Sequence, residues 1–197
     1  MKVIFLDIDG VLNGYNKWNT LGFDISKFLH IEKLYKKIVE PFGVHERKVK
    51  RLAKIVKRTG AKIVMSSSWR FRYMRYCNHI PARYGDDEIR PFGKDLVKLH
   101  SLFMKYGIEV YDITKRDCGG RRDKEILEWL NSHSDIESFI ILDDENSFME
   151  YYWWDRRFIQ TSSVDFGTLI MGRDIEDSGL KRKHVIEAIK ILNGRRI

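Results

Sequence analysis

Leu6-Asp7-Ile8-Asp9-Gly10-Val11-Leu12 follows directly on the apolar run 2–6 (KVIFL). A short run rich in Val, Ile and Phe, ended by turn residues, reads as a buried strand. The spacing of Asp7 and Asp9, i and i+2, sends both carboxylates off the strand end on the same side. Such a pair repels itself unless one member is protonated or a cation sits nearby. Gly10 lets the backbone turn sharply and approach a ligand closely. In parallel α/β sheets, ligands bind beyond the carboxyl ends of the strands, which is where this acidic turn lies.

Four further runs carry the same signature: 61–65 (AKIVM), 108–111 (IEVY), 138–142 (SFIIL) and 158–161 (FIQT). Helical patterns separate them. Val49, Leu52, Ala53 and Val56 recur at helical spacing within 46–59, and Gly60 follows as a stop. Leu96, Leu99 and Phe103 mark 95–105, ended by Gly107. Ile126, Leu127 and Leu130 mark 123–133, and Val185, Ile186, Ile189 and Leu192 mark 183–192. Strands alternating with helices imply crossover connections, a parallel sheet with helices on both faces and a doubly wound α/β fold. Two stretches exceed that minimal alternation. Residues 14–45 include a helix-like piece around 26–39 and read as a small helical cap. Residues 70–93 interleave Arg70, Arg72, Arg75, Arg83 and Arg90 with Phe71, Tyr73, Tyr76 and Tyr84, and read as a second insertion over one end of the sheet. The chain, 1–197, is expected to be one domain.

Two other strand ends add to the site. Asp143-Asp144-Glu145 follows the fourth run, and acidic tips on two parallel strands point to one shared locus. Oxygen-only ligands of this kind suit Mg²⁺. Ser66-Ser67-Ser68-Trp69-Arg70 follows the second run, where hydroxyls and backbone N–H groups make a phosphate cradle. The six histidines show no HExxH spacing, so a catalytic zinc is not expected.

Composition sets the outer limits. Apolar residues make up 43% and charged residues 32%, a globular mixture that excludes disorder as the main state. No run reaches the ~18 to 20 apolar residues of a membrane span. MKVIFLDIDG meets an acid too early for a signal peptide. Cys77 and Cys118 form no disulfide framework, so a reducing, cytoplasmic setting is expected. The net charge of +8 is uneven: +7 over 46–62 and +5 over 181–197 flank a stretch of −8 over 123–150. Basic ends attract a polyanion while the acidic middle concentrates carboxylates for a cation. Surface helices that simply carry lysines account for the basic charge equally well.

The three elements, in this order, resemble the haloacid dehalogenase (HAD) superfamily. Asp7-Ile8-Asp9-Gly10-Val11 matches its first motif, Ser66 its second, and Asp143 with Asp144 its fourth; Arg122 or Lys124 fits the third. More finely, LDIDGVLN, SSSWR, the Arg122…Glu125-Ile126…Trp129-Leu130 segment, ILDDE and Gly179-Leu180 resemble the HAD domain of "Swiss Army knife" RNA repair proteins. The resemblance implies a Rossmann-like fold and phosphoryl transfer through an aspartyl-phosphate. Asp7 is then the nucleophile and Asp9 the acid and base. Mg²⁺ is held by Asp7, the Asp9 carbonyl and Asp143 or Asp144, while Ser66, Ser67 and Arg122 or Lys124 hold the phosphate. The substrate expected is a phosphorylated nucleotide or nucleic-acid end, with Arg70, Arg72 and Arg75 touching the polymer. A phosphatase for sugar phosphates or mononucleotides, and a HAD-fold binding protein without turnover, are the alternatives.

Overall fold

The computed structural model describes residues 1–13, 43–78, 89–115, 121–145, 155–161 and 179–194. The five apolar runs form five strands: β1 (Lys2–Leu6), β2 (Lys62–Met65), β3 (Val110–Ile113), β4 (Ser138–Asp143) and β5 (Phe158–Gln160). They make one parallel sheet in the order β3-β2-β1-β4-β5. Between them and after them lie α1 (Glu46–Thr59), α2 (Arg70–Cys77), α3 (Ile89–Tyr106), α4 (Arg122–Asn131) and α5 (Arg182–Leu192). The expected doubly wound α/β architecture is therefore present.

The strands read as unbroken apolar runs because both faces of the sheet are covered. Ile4, Leu6, Ile63, Met65, Ile140 and Leu142 point to one side, where Val49, Leu52 and Ile55 of α1, Leu99 and Phe103 of α3, and Val185 and Leu192 of α5 meet them. Val3, Phe5, Val64, Phe139 and Ile141 point to the other, against Ile126 and Trp129 of α4. Phe5 lies edge-on to Trp129 and Phe139, with ring centroids 5.3 and 5.8 Å away. Offset or edge contacts of this kind add to the area they bury.

Several boundaries differ from the sequence expectation, and two of these differences bear on the fold. The third strand begins at Val110, two residues late, because Ile108 ends the preceding helix instead. Gly107 sits at φ +64, its N–H reaches Met104 O, and Ile108 N–H reaches Phe103 O at 2.9 Å. That pairing closes α3, and buried Ile108 is its apolar seal. The stretch 70–93, expected as an insertion, opens with α2, and its last residues are the start of α3.

Most of the expected cap, 14–42, lies outside the described residues, as do 79–88 and the arginines of 195–197. The described ends of the first excursion meet: His45 N–H donates to Leu12 O at 2.9 Å. Among the described residues, no helix is long and apolar enough to cross a membrane.

Candidate active site

Sheet order decides where the acidic turn sits. The chain runs β1, β2, β3 in one direction, then returns to place β4 on the other side of β1. The crevice at such a reversal is the usual ligand position in open α/β sheets. Here Asp7 and Asp143 flank it. The parallel ladder continues one residue past the strands, with Asp7 N–H donating to Leu142 O (2.9 Å) and Ser66 N–H to Leu6 O (3.0 Å). Asp7, Ser66 and Asp143 are thereby fixed by sheet backbone rather than by loose loops.

Carboxylate oxygens of Asp7, Asp143 and Asp144 lie within 4.8 Å of one another. Asp7 and Asp143 are buried, and Asp144 is half-buried. Gly10 makes room for Asp144: it adopts φ +63, and a Cβ there would stand 2.0 Å from Asp144 Oδ2. Thr161 ties the same turn to β5 through its hydroxyl, which donates to Gly10 O at 3.0 Å.

Arg122, at the start of α4, enters this cluster. Its Nη1 lies 3.5 Å from Asp7 Oδ1 and donates to Asp143 Oδ2. Lys124 is exposed on the same helix and makes no such approach. Of the two candidates for the third motif, only Arg122 reaches the carboxylates.

One guanidinium cannot satisfy three acids. Burial, then the neighbouring Asp143 charge, pushes the Asp7 carboxyl well above its usual range, although Arg122 pulls the other way. Burial raises Asp143 too, against the opposing Arg122. Burial and Asp143 push Asp144 up to about 6. Burial works to discharge Arg122, but Asp7 and Asp143 overcome it and hold the guanidinium protonated above its ordinary range. With all three acids ionised, two negative charges stay uncompensated, the charge of one divalent cation. An all-oxygen donor set of this size fits a hard cation and offers nothing to a soft one.

The remaining expected residues divide sharply. Ser67 Oγ accepts from Trp69 N–H at 3.3 Å and lies beside the Asp7 carboxylate, whose ionised form it favours. Ser66 Oγ is fully buried without a hydrogen-bond partner among the described residues. Asp9 does not join the three converging carboxylates. Its Oδ1 accepts from Asn13 Nδ2 at 2.7 Å and its Oδ2 from Trp69 Nε1 at 2.9 Å. The Asp9 side chain is thus engaged by the two turns, which leaves its main-chain carbonyl as the metal-ligand atom expected from sequence.

Arg70, grouped with the nucleic-acid contacts, is buried at 5% exposure. Its Nε donates to Thr114 O (2.9 Å), its Nη1 to Ser66 O and Ser67 O (3.2 and 2.9 Å), and its Nη2 to Glu125 Oε2 (2.9 Å). It braces the strand ends from behind instead of facing a ligand. Arg72 and Arg75, half-buried on α2, keep a surface position beside exposed Phe71 and Tyr76.

The family model for the HAD domain in Swiss Army Knife RNA repair proteins matches residues 3–165. The chain belongs to this family. That match spans the acidic turn, the serine loop, Arg122 and the Asp143-Asp144 tip, the same elements that converge in space. A HAD domain of this family is a hydrolase of HAD type, and its acidic cluster is a place that could hold a metal. No curated protein and no solved structure matches the chain.

Spacing alone missed Asn13, Trp69 and Glu125. Asn13 and Trp69 stand inside the LDIDGVLN and SSSWR stretches, but their side-chain directions depend on how two turns pack together. Lys48, counted in the basic stretch 46–62, is buried and donates to Asn13 O at 2.8 Å, and burial lowers its pKa to about 8.

Proposed function

We propose that this chain is a Mg²⁺-dependent phosphomonoesterase that works through an aspartyl-phosphate on Asp7, and that its substrate is a nucleotide or nucleic-acid end phosphate. The observation that carries this reading is the joint approach of Arg122, Asp143 and Asp144 to the single carboxylate of Asp7. A carboxylate attacking a phosphate dianion meets charge repulsion. Asp7, the Asp9 carbonyl and Asp143 or Asp144 would hold Mg²⁺, which would supply neutralisation of that charge.

The chain's own residues do the rest. An Asp7 oxygen attacks phosphorus as the bond from phosphorus to the leaving oxygen breaks, and protonated Asp9 gives its proton to that oxygen. Asp9, now ionised, takes a proton from water as the water attacks the phosphoaspartate. Phosphate departs, Asp7 is regenerated and Asp9 is protonated again. Ser67 and Arg122 orient the transferring group from positions fixed by the strand ends, so little reorganisation is needed in the transition state.

The polymer side of the reading rests on the family name and on α2. Phe71 and Tyr76, 37% and 39% exposed, alternate with Arg72 and Arg75 immediately after the serine loop. Exposed rings stack bases and arginines meet phosphates, a combination suited to a single strand.

Phosphate release in Mg²⁺ from mononucleotides, sugar phosphates and 3′- or 5′-phosphorylated oligonucleotides tests both parts. Asp7→Asn is expected to lose nearly all turnover while staying folded. Residual activity within about tenfold of the parent sinks the aspartyl-phosphate mechanism. Sugar phosphates outpacing every oligonucleotide would leave the mechanism and remove the polymer.

A further inference from the structure

Asp9 is gripped more tightly than its exposure requires. A half-exposed carboxylate has water available to it, yet each of its oxygens takes a hydrogen bond from a different turn: Asn13 after β1 and Trp69 after β2. Neither donor is free to rotate away. Asn13 Oδ1 accepts the Gly10 N–H at 2.8 Å, which forces its NH₂ group toward Asp9 and settles the amide orientation. Asn13 O is itself bonded by buried Lys48 Nζ at 2.8 Å. Trp69 is 6% exposed within the core, and an indole N–H can only donate.

We propose that Asn13 and Trp69 are positioning residues for Asp9, fixing its carboxyl so that the proton carried on an oxygen site they leave free meets the leaving oxygen of a phosphate ester. The proposal rests on the phosphatase reading above and deepens it. The clamp joins two strand ends, so it sets Asp9 relative to Ser67 and Asp7 as well as to its own turn. Proton transfer needs heavy atoms within about 2.6–3.2 Å, and a carboxylate that swings loses that alignment. Lys48 supports the arrangement indirectly, by holding the main chain from which Asn13 projects.

A positioning role for an acid has a signature that simple structural damage lacks. An alkoxide leaving group needs the proton, whereas nitrophenolate leaves without one. The experiment compares kcat/KM for an alkyl phosphate and for p-nitrophenyl phosphate, in Mg²⁺, for the parent, Asn13→Ala, Trp69→Phe, Asp9→Asn and Asp7→Asn. This parameter reports transfer to Asp7 and is blind to later phosphoaspartate hydrolysis. Both clamp variants are expected to lose on the order of tenfold or more with the alkyl ester and little with the nitrophenyl ester. Inhibition by inorganic phosphate should stay at the parent level. In the Asp9→Asn background, Trp69→Phe should cost nothing further. Equal losses on both esters, or losses that add to that of Asp9→Asn, overturn the proposal and leave the phosphatase reading standing. Absence of Asp7-dependent hydrolysis of either ester in the parent overturns both. Asn13→Ala, outside the apolar core, keeps the test decisive if Trp69→Phe folds poorly.

Discussion

Arg70→Met separates a bracing arginine from a substrate-binding one. The substitution keeps an apolar stem of similar length and deletes a guanidinium that joins Thr114 O, Ser66 O, Ser67 O and the Glu125 carboxylate. Arg70 and Glu125 are both about 5% exposed or less, so the pair is shielded from solvent. Breaking a buried pair from one side costs about 3–5 kcal/mol, because the other charge is stranded. For a chain of this length that corresponds to a fall in Tm of roughly 10–15 °C. Burial already holds the Glu125 carboxyl above its usual range, with Arg70 opposing. Without Arg70 it rises further and takes a proton more readily, so the loss should be smaller at pH 5 than at pH 8. Arg70→Met/Glu125→Leu, which removes both charges, should recover part of the stability. Urea and thermal unfolding of the three proteins supply the numbers. A single variant within about 1 kcal/mol of the parent, or a double variant no better than the single, refutes the bracing argument. Unchanged stability with weakened oligonucleotide binding would return Arg70 to the surface role read from its sequence neighbours.

Two further outcomes follow from the acidic cluster. The folded pKa of Asp144 lies above its unfolded value, near 6 against 3.8, so the folded state binds more protons between those values and stability falls as pH rises through that window. In EDTA, Asp144→Asn should flatten this slope and be more stable at pH 7.5 by about 1–2 kcal/mol after allowing for solvent screening; adding Mg²⁺ should stabilise the parent more than the variant, and parallel melting curves in both conditions would refute the cluster electrostatics. Gly10→Ala places a methyl where Asp144 Oδ2 now lies and strains a φ of +63, so it should cost about 1–3 kcal/mol and weaken Mg²⁺ activation; a variant with parent-like Mg²⁺ titration and melting would show that the turn can relax away from Asp144.

The fold was legible because its strands are covered on both faces, which turns 2–6, 61–65 and 138–142 into unbroken apolar runs. Strand ends were legible for the same reason: Asp7, Ser66 and Asp143 each begin where such a run stops. Boundaries governed by helix closure were not. Ile108 carries the composition of a strand residue, yet its burial serves the end of α3, and that helix starts at Ile89 with Pro91 in its first turn, ahead of the periodic stripe. The choice between Arg122 and Lys124 needed helix phase relative to the sheet, which spacing within α4 does not contain. Arg70 was misplaced because a string of arginines and aromatics looks uniform in sequence, while only the first sits at the depth of Glu125. The clamp on Asp9 joins residues 60 positions apart, through side-chain directions that only the packed turns define.

Placing Asp7 on the middle strand has a consequence for how the molecule comes apart. β1 has a bonded neighbour on each side, and the ladder includes the Asp7 amide itself. Its exchange with solvent deuterium therefore requires the sheet to part, whereas the outermost strands β3 and β5 can fray separately. The carboxylate proposed as nucleophile therefore belongs to the most persistent unit among the described residues. Segments joined at strand tips can be lengthened, shortened or exchanged without touching that unit. A single chemical centre of this construction can be fitted to different substrates by changing only what surrounds it.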